Sequence, residues 1–326
     1  MSIPPPVPPS EPVRAFSWSF YPIIWAQANL IRLMAPAPAM KDKIPTDIEV
    51  VHTSIPSRDK RRTIKADAYR AKGVKPSGKI LLNWHGSGFI LHRHSEDKTY
   101  CSYIAGQLRE AGVTVYDLDY RKAPESPFPA GIEDVEDAIL HFARLPTTTN
   151  LAVGGFSAGS MFAIAASATT KPILAGNGGI PVSSITAFYP ASDMRPGIAK
   201  RTAPVPKARS GATIAPWVGN IFTTALCVDP DSMYDKRSSL ILHKADELPP
   251  HFLIITGNAD SLHEDSVDFI NNLNNESPPH PDAKMISIPE ESHAWDKKPL
   301  CKESFESRDF AYSSARDHIK IGLDIA

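Results

Sequence analysis

Short apolar segments and amphipathic segments alternate along most of the sequence. Residues 79–84 and 113–118 are short apolar runs, which are typical of strands buried on both faces. Residues 131–144 place their apolar side chains on one face of a helix. Further strands are predicted at 151–153, 185–189, 252–256 and 285–288, and further helices at 96–111, 158–168 and 303–322. This order predicts an α/β fold with a mostly parallel, twisted sheet flanked by helices, because parallel strands are joined by covering crossovers.

Two regions depart from this alternation. Residues 48–55 and 63–69 alternate apolar and polar side chains and predict a hairpin, whose charged turn lies at 57–62. Residues 191–250 separate two strands by far more than an ordinary connection and are rich in proline. An insertion of this length in a compact domain is usually functional or disordered.

Composition excludes several classes of protein. The chain has 35 Lys and Arg against 36 Asp and Glu, a net charge of −1, which argues against partners such as nucleic acid or an anionic membrane. Three widely spaced cysteines, Cys101, Cys227 and Cys301, form neither a disulfide framework nor a metal-binding spacing. We find no secretory signal and no apolar run of the ~18 residues that span a membrane, so we expect a cytoplasmic protein.

The N-terminal segment has two parts. Residues 1–12 contain six prolines and predict a disordered tail. Residues 13–34 predict one or two short helices with an apolar face. Three roles fit that face: covering a pocket, peripheral contact with a membrane surface, or completing the core.

The strongest chemical signal is Gly155-Phe156-Ser157-Ala158-Gly159, between a predicted strand and a predicted helix. It matches G-x-S-x-G, in which a nucleophilic serine is held on a sharp turn. Small residues such as Gly155 and Gly159 let the strand and the helix approach each other. The alternative is a glycine-rich turn with a helix-capping serine. The strand before and the small-residue helix after favour Ser157 as a nucleophile.

A second glycine-rich segment, His85-Gly86-Ser87-Gly88-Phe89, directly follows the strand at 79–84. Backbone N–H groups in such a turn are suited to stabilising an oxyanion, and the N–H of Ala158 adds another donor. The alternative is an ordinary strand-to-loop turn.

A serine nucleophile needs a base and an orienting acid. When the serine lies on a G-x-S-x-G turn, these partners come later in the chain, first the acid and then the histidine. Asp260 comes directly after the strand at 252–256, and Glu264 and Asp265 are alternatives that a helix would carry away from the strand end. His293 is preferred as the base because it follows the last predicted strand. Four histidines that precede that strand fit less well, namely His243, His251, His263 and His280.

A competing arrangement is His92-Arg93-His94 with Glu96 and Asp97, which has ligand types suited to a metal. No third ligand follows at a characteristic spacing, so the sequence predicts neither a metal site nor a cofactor.

Together these segments resemble the hormone-sensitive-lipase-like, or GDXG, family of α/β-hydrolases from about residue 78 to 295. The sequence DYRKAPE at 119–125, followed by PFPA at 127–130 and by Glu133-Asp134, is similar to a family motif. The resemblance implies an α/β-hydrolase fold with the triad Ser157, Asp260 and His293. It implies oxyanion donors on Gly86, Ser87, Gly88 and Ala158. It also implies a single catalytic domain over 13–326, with a helical cap from about 13–40 and 191–250.

Two residues depart from the family pattern. Ser87 stands where the family usually has a glycine, and its side chain would strain the turn, narrow the acyl pocket or donate a further hydrogen bond. Lys122 replaces a leucine, and we expect this change to be tolerated.

The sequence as a whole predicts a carboxylesterase-type serine hydrolase for a small-to-medium hydrophobic ester, such as a tailoring esterase of secondary metabolism. The alternatives are a dehydratase, lyase or cyclase of the same family, or a receptor-like binding member. The sequence contains no signal for oligomeric state.

Overall fold

The computed structural model describes residues 21–35, 43–197 and 201–326. The proline-rich segment 1–12 lies outside these ranges, as do the first part of the predicted helical segment 13–34 and residues 36–40 of the predicted cap.

One eight-stranded sheet organises the chain, with strand order β1-β2-β4-β3-β5-β6-β7-β8. Its strands are β1 Ile48–Pro56, β2 Thr63–Ala71, β3 Lys79–Trp84, β4 Thr114–Leu118, β5 Asn150–Phe156, β6 Val182–Phe188, β7 His251–Gly257 and β8 Ala283–Ile288. The hairpin of β1 and β2 is antiparallel, β2 pairs antiparallel with β4, and every other pair is parallel. The predicted α/β fold, the hairpin and every predicted strand are therefore confirmed.

Seven α-helices accompany the strands in the described ranges. They are α1 Tyr21–Met34, α2 Lys98–Gln107, α3 Ala130–Ala143, α4 Ala158–Asn177, α5 Pro216–Leu226, α6 His263–Asn275 and α7 Lys302–Gly322. Helices α2 and α7 share one apolar core with the sheet, and α3, α4 and α6 share the other. Alternate residues of β5 serve the two cores: Leu151 and Val153 face one, and Ala152 and Phe156 the other. The strands β3 to β7 are thus buried on both faces, as their apolar sequences require, whereas the edge strand β1 is largely exposed.

Two predicted helices differ in extent from the observed ones. The segment 96–111 divides into α2 and a short 3₁₀ turn at Arg109–Ala111. Helix α4 continues well beyond the predicted end at residue 168, even though Pro172 lies inside it. Proline removes one helical hydrogen bond, but the last turns still bury Leu174 in the core. Burial therefore outweighs the local cost of the proline.

Helix α1 packs on the body of the protein beside α5. Ala28 and Ile31 of α1 share a small apolar cluster with Ile221 and Ala225 of α5. Arg32 fixes α1 by donating to the backbone oxygens of Ile90 and Ala123. Its guanidinium also forms a bidentate ion pair with the Glu125 carboxylate, with both N–O distances at 2.7 Å. No helix in the described ranges is long and apolar enough to cross a membrane.

Candidate active site

The turn between β5 and α4 holds Ser157 in a strained conformation, with φ 50° and ψ −118°. A Cβ atom at Gly155 would lie 2.7 Å from the carbonyl oxygen of Trp84, and one at Gly159 would lie 2.5 Å from that of His85. Only glycine permits this approach of β5 and α4 to β3. The two glycines therefore raise Ser157 above the sheet edge, where its side chain is partly exposed.

Three predicted site residues meet at this edge. His293 Nε2 lies 2.9 Å from Ser157 Oγ, and His293 Nδ1 lies 2.7 Å from Asp260 Oδ2. The Asp260 carboxylate is completely buried, whereas the His293 side chain is 12% exposed. A buried carboxylate that accepts from Nδ1 leaves the Nε2 lone pair directed at the serine hydroxyl. The arrangement can remove a proton from Ser157.

Asp260 also organises the chain around itself. Its Oδ1 accepts a hydrogen bond of 2.9 Å from the backbone N–H of Leu262, just before α6 begins at His263. The alternatives to Asp260 point elsewhere. Glu264 contacts the ring of the neighbouring His263, and Asp265 forms an ion pair with Arg201 at 2.5 Å.

The other candidate histidines have partners away from the serine. His243 contacts Glu247, His251 contacts Asp282, His263 contacts Ser287, and His280 contacts the carbonyl oxygen of Pro249.

The segment at 85–89 lies against the serine turn. A Cβ atom at Gly86 would be 3.3 Å from the Cβ of Ser157. The N–H groups of Gly86, Ser87, Gly88 and Ala158 donate no hydrogen bond to any other residue in the described ranges. These predicted oxyanion donors are therefore available to a ligand, and Gly86 lies beside Ser157.

Ser87 causes no backbone strain, because the positive φ angles of this segment fall on Gly88 and Phe89. Its hydroxyl lies 2.7 Å from the Tyr120 hydroxyl, which in turn donates to the carbonyl oxygen of His85. Tyr120 has a single hydroxyl proton. Ser87 must therefore donate to Tyr120, and its side chain supplies no further proton to an oxyanion.

The comparison with known proteins agrees with this architecture. Residues 81–297 match the family model described as the alpha/beta hydrolase fold. The chain belongs to this family.

Curated relatives place this α/β-hydrolase in the predicted branch. It is 27% identical to esterase LipI of Mycobacterium tuberculosis over 198 residues, which are 58% of this chain and 57% of the relative. It is 29% identical to human hormone-sensitive lipase over 134 residues, which are 39% of this chain and 12% of the lipase. The resemblance to the hormone-sensitive-lipase-like family is thereby confirmed, although this chain spans 57% or less of these relatives.

Solved structures share the fold. The crystal structure of a mutant of esterase rPPE complexed with (S)-Ac-CPA has a TM-score of 0.74 to this α/β-hydrolase. The alignment covers 94% of this chain and 93% of that chain at 18% sequence identity.

A buried polar group lies directly under the 85–89 segment. Asp119 Oδ1 is 3.1 Å from His85 Nε2 and 2.6 Å from Lys122 Nζ. Burial favours a raised pKa for Asp119, but the contacts with His85 and Lys122 outweigh it and hold that pKa far below its usual range. Burial and the Lys122 ammonium lower the pKa of His85, so its imidazole is neutral at pH 7. Lys122, which sequence analysis treated as merely tolerated, is thus part of the support of this segment.

A second buried group backs the histidine. The ring of Tyr189 packs edge-on against the ring of His293, with 4.7 Å between the ring centroids. The Tyr189 hydroxyl donates to Asp296 at 2.6 Å. Asp296 also accepts from Tyr312 and lies 3.1 Å from Lys297 Nζ. That ammonium lies over the ring of Phe156, the residue before Ser157. Sequence analysis missed this group, and its one available signal was the Asp296-Lys297 pair so soon after His293.

The alternative metal arrangement is not assembled. Among the residues that the structure describes, no three His, Cys, Asp or Glu side chains are grouped to hold a metal ion. His94 instead contacts the carbonyl oxygen of Asp117, and the carboxylate of Asp97 contacts Lys297.

Proposed function

We propose that the protein is a serine hydrolase of carboxylic esters, with Ser157 as nucleophile, His293 as general base and acid, and Asp260 as the orienting carboxylate. The observation that carries this proposal is the continuous contact from Ser157 Oγ through both ring nitrogens of His293 to the buried Asp260.

The mechanism follows from this geometry. Ser157 Oγ attacks the ester carbonyl carbon while His293 Nε2 takes its proton, and Asp260 stabilises the resulting imidazolium. The carbonyl oxygen becomes an oxyanion that the backbone N–H groups of Gly86, Ser87, Gly88 and Ala158 are available to bind, each donor that reaches it contributing a few kcal/mol. His293 then protonates the leaving alcohol, and a water molecule activated by the same nitrogen hydrolyses the acyl-enzyme.

Phe222 of α5 is an apolar group of the proposed cap (α1 with the 191–250 insertion) that reaches the proposed oxyanion segment. A Cβ atom on Gly88 would fall within the space of the Phe222 ring, so α5 lies directly over the proposed oxyanion segment. This placement supports a small-to-medium hydrophobic ester as substrate. A tailoring role in secondary metabolism and a cytoplasmic location remain proposals, tested by metabolite screening and by cell fractionation.

The first prediction tests the nucleophile. Ser157→Ala should reduce turnover of p-nitrophenyl acetate or butyrate by at least about 1,000-fold, because only the oxyanion donors and the binding site remain. A melting curve like that of the wild type serves as the control for folding. Residual turnover close to wild type would refute the proposal.

A fluorophosphonate probe separates hydrolysis from the alternatives. Covalent labelling of Ser157 in the wild type, and none in Ser157→Ala, would support an acyl-enzyme. Tight binding of small molecules without labelling or turnover would instead favour a receptor-like or lyase-type member of the family. A series of p-nitrophenyl esters of increasing acyl length would then define the substrate class.

A further inference from the structure

A short extended segment of the 191–250 insertion runs beside the loop that carries His293. We call residues 209–212 the strap. Ser210 pairs with Glu291 in a parallel bridge, and Ala212 pairs with His293 in an antiparallel bridge. The insertion therefore touches the backbone of the proposed base itself.

The strap supplies hydrogen-bond partners on both sides of His293. The N–H of Arg209 donates to the Glu290 carbonyl oxygen at 2.7 Å, and the N–H of Ser292 donates to the Ser210 carbonyl oxygen at 3.0 Å. The N–H of Ala212 donates to the carbonyl oxygen of His293 at 2.7 Å.

Side chains strengthen the same contact. Ser292 Oγ donates to the Ala212 carbonyl oxygen at 3.1 Å, and the buried Ser210 Oγ accepts from the N–H of Leu300 at 2.8 Å. The Arg209 guanidinium donates to the Pro289 carbonyl oxygen and lies 3.2 Å from Glu290. The strap therefore spans the loop from residue 289 to residue 300.

The histidine loop needs this support because it is irregular. Glu290 and Ala294 both have positive φ angles, at 57° and 55°. On the other side, the chain after β7 and the start of α7 hold the loop: the side chain of Asn258 accepts from the Glu290 N–H, the N–H of Ala259 donates to the Glu291 carbonyl oxygen, and Ser304 Oγ donates to the Glu291 carboxylate. The loop is thus clamped between these contacts and the strap.

Gly211 is the point of closest approach. Its φ is +95°, and a Cβ atom there would lie 2.6 Å from the His293 carbonyl oxygen and 2.9 Å from the Ser292 carbonyl carbon. Both neighbours are backbone atoms, so a side chain at 211 must displace either the strap or the histidine. Gly211 is itself exposed, so the collision is confined to this contact.

We propose that the strap is a positioning element for the base, which holds the His293 backbone so that Nε2 stays within hydrogen-bond distance of Ser157. This inference rests on the proposed function. A displacement of about 1 Å in a reacting group costs on the order of 100-fold in rate. The strap belongs to the insertion that also carries α5, so one segment touches both the base and the cover of the oxyanion turn.

The test compares two glycine variants. Gly211→Ala should lower kcat about 10- to 100-fold with KM within about threefold of wild type. Gly197→Ala is the matched control, because Gly197 lies in the same insertion with φ +71° and a Cβ atom there meets no described residue within 4 Å. It likewise places an alanine at a positive φ but without the collision, and its kcat should stay within about twofold of wild type. Melting curves of both variants separate loss of fold from loss of rate.

A second measurement does not depend on the choice of substrate. The rate at which a fluorophosphonate labels Ser157 should fall in Gly211→Ala by the same factor as kcat, because labelling needs the same proton transfer to His293. Ser292→Ala, which removes one strap bond without a collision, should slow labelling by a few-fold.

The outcomes separate the two proposals. If the wild type neither turns over esters nor labels, the proposed function fails. If the wild type is active and Gly211→Ala keeps its kcat and labelling rate, the strap does not position the base. A rise in KM alone would also overturn the inference, because the strap would then only shape the pocket.

Discussion

Near the site, burial and neighbouring charges set the ionisation of individual side chains. Burial raises the pKa of Glu96 to about 7; nearby Asp97 and Asp296 act in the same direction, against Lys297 and Arg93. An acid whose pKa is raised on folding favours the folded state while it is protonated. It loses that contribution as the pH rises through the folded pKa.

Because ionisation of Glu96 at high pH lowers the stability of the folded state, a neutral replacement should be stabilising there. Glu96→Gln should raise the melting temperature relative to wild type at pH 8 and change it little at pH 5, because the variant has no charge to bury. Glu110→Gln replaces an exposed acid and is the control. Its melting temperature should differ from that of the wild type by the same amount at both pH values. If the difference in melting temperature between Glu96→Gln and the wild type is the same at pH 5 and at pH 8, the prediction is contradicted.

Sequence reasoning found the residues that a local pattern marks. Ser157 stands in a five-residue motif, and Asp260 and His293 each follow a predicted strand in the expected order. No local pattern indicates the contacts of Lys122 and Tyr189, because these contacts depend on how separate segments pack together. The same is true of Ser87, whose hydroxyl direction is decided by Tyr120, 33 residues away.

Among the elements, α1 is attached to the body largely through Arg32. Its outward side chains include exposed Ile23, Leu33 and Met34, so burial alone holds it weakly. The hydrogen bonds from Arg32 lower the pKa of Glu125 against the opposing effect of burial. The contribution of this contact to stability is therefore complete above the ordinary glutamate pKa and is lost as the pH falls through the lowered pKa of the folded state.

Replacing this arginine should loosen α1 specifically. Arg32→Ala should lower the free energy of local opening of α1, measured by amide hydrogen exchange, by about 1–2 kcal/mol. The Glu125 side chain is 43% exposed, so most of this effect comes from the lost bonds to the carbonyl oxygens of Ile90 and Ala123. Arg61→Ala, at a side chain 91% exposed, is the control. Unchanged exchange in α1 would show that Arg32 is not the anchor.

The extent of elements was harder to predict than their existence. The order of strands and helices followed from apolar periodicity, since each element must bury a face. Helix α4 ran past Pro172 because its far end still reaches the core, which no local signal reveals. The pairing of Ala212 with His293 could not be predicted either, because the sequence between 191 and 250 has no periodicity that fixes its course.

For the whole molecule, several histidines whose pKa is lowered on folding shape the response to acid. Burial lowers the pKa of His85, His141, His243 and His280, and lowers that of His318 to about 4. The unfolded chain binds protons at these positions below about pH 6.5, whereas the folded chain binds them only at lower pH. Stability is therefore lost as the pH falls from about 6.5.

This effect predicts that the free energy of unfolding depends measurably on pH. The free energy of unfolding in urea should fall between pH 6.5 and pH 5, and His318→Phe should reduce the slope by up to about 1.4 kcal/mol per pH unit. The comparison is best made in a Glu96→Gln background, because Glu96 changes stability in the opposite direction over this range. An identical slope with and without His318 would contradict the prediction.

The course of the insertion has a consequence for diversification. Its middle part is tethered at two points, where Ala212 meets His293 and where the N–H of Phe128 donates to the Leu226 carbonyl oxygen. Residues 213–225, with α5, lie between these tethers and contribute no member of the triad. Because α5 also packs on α1 through Ile221 and Ala225, grafting the corresponding stretch together with that helix from another hydrolase should change selectivity while the proposed proton-transfer residues keep their positions.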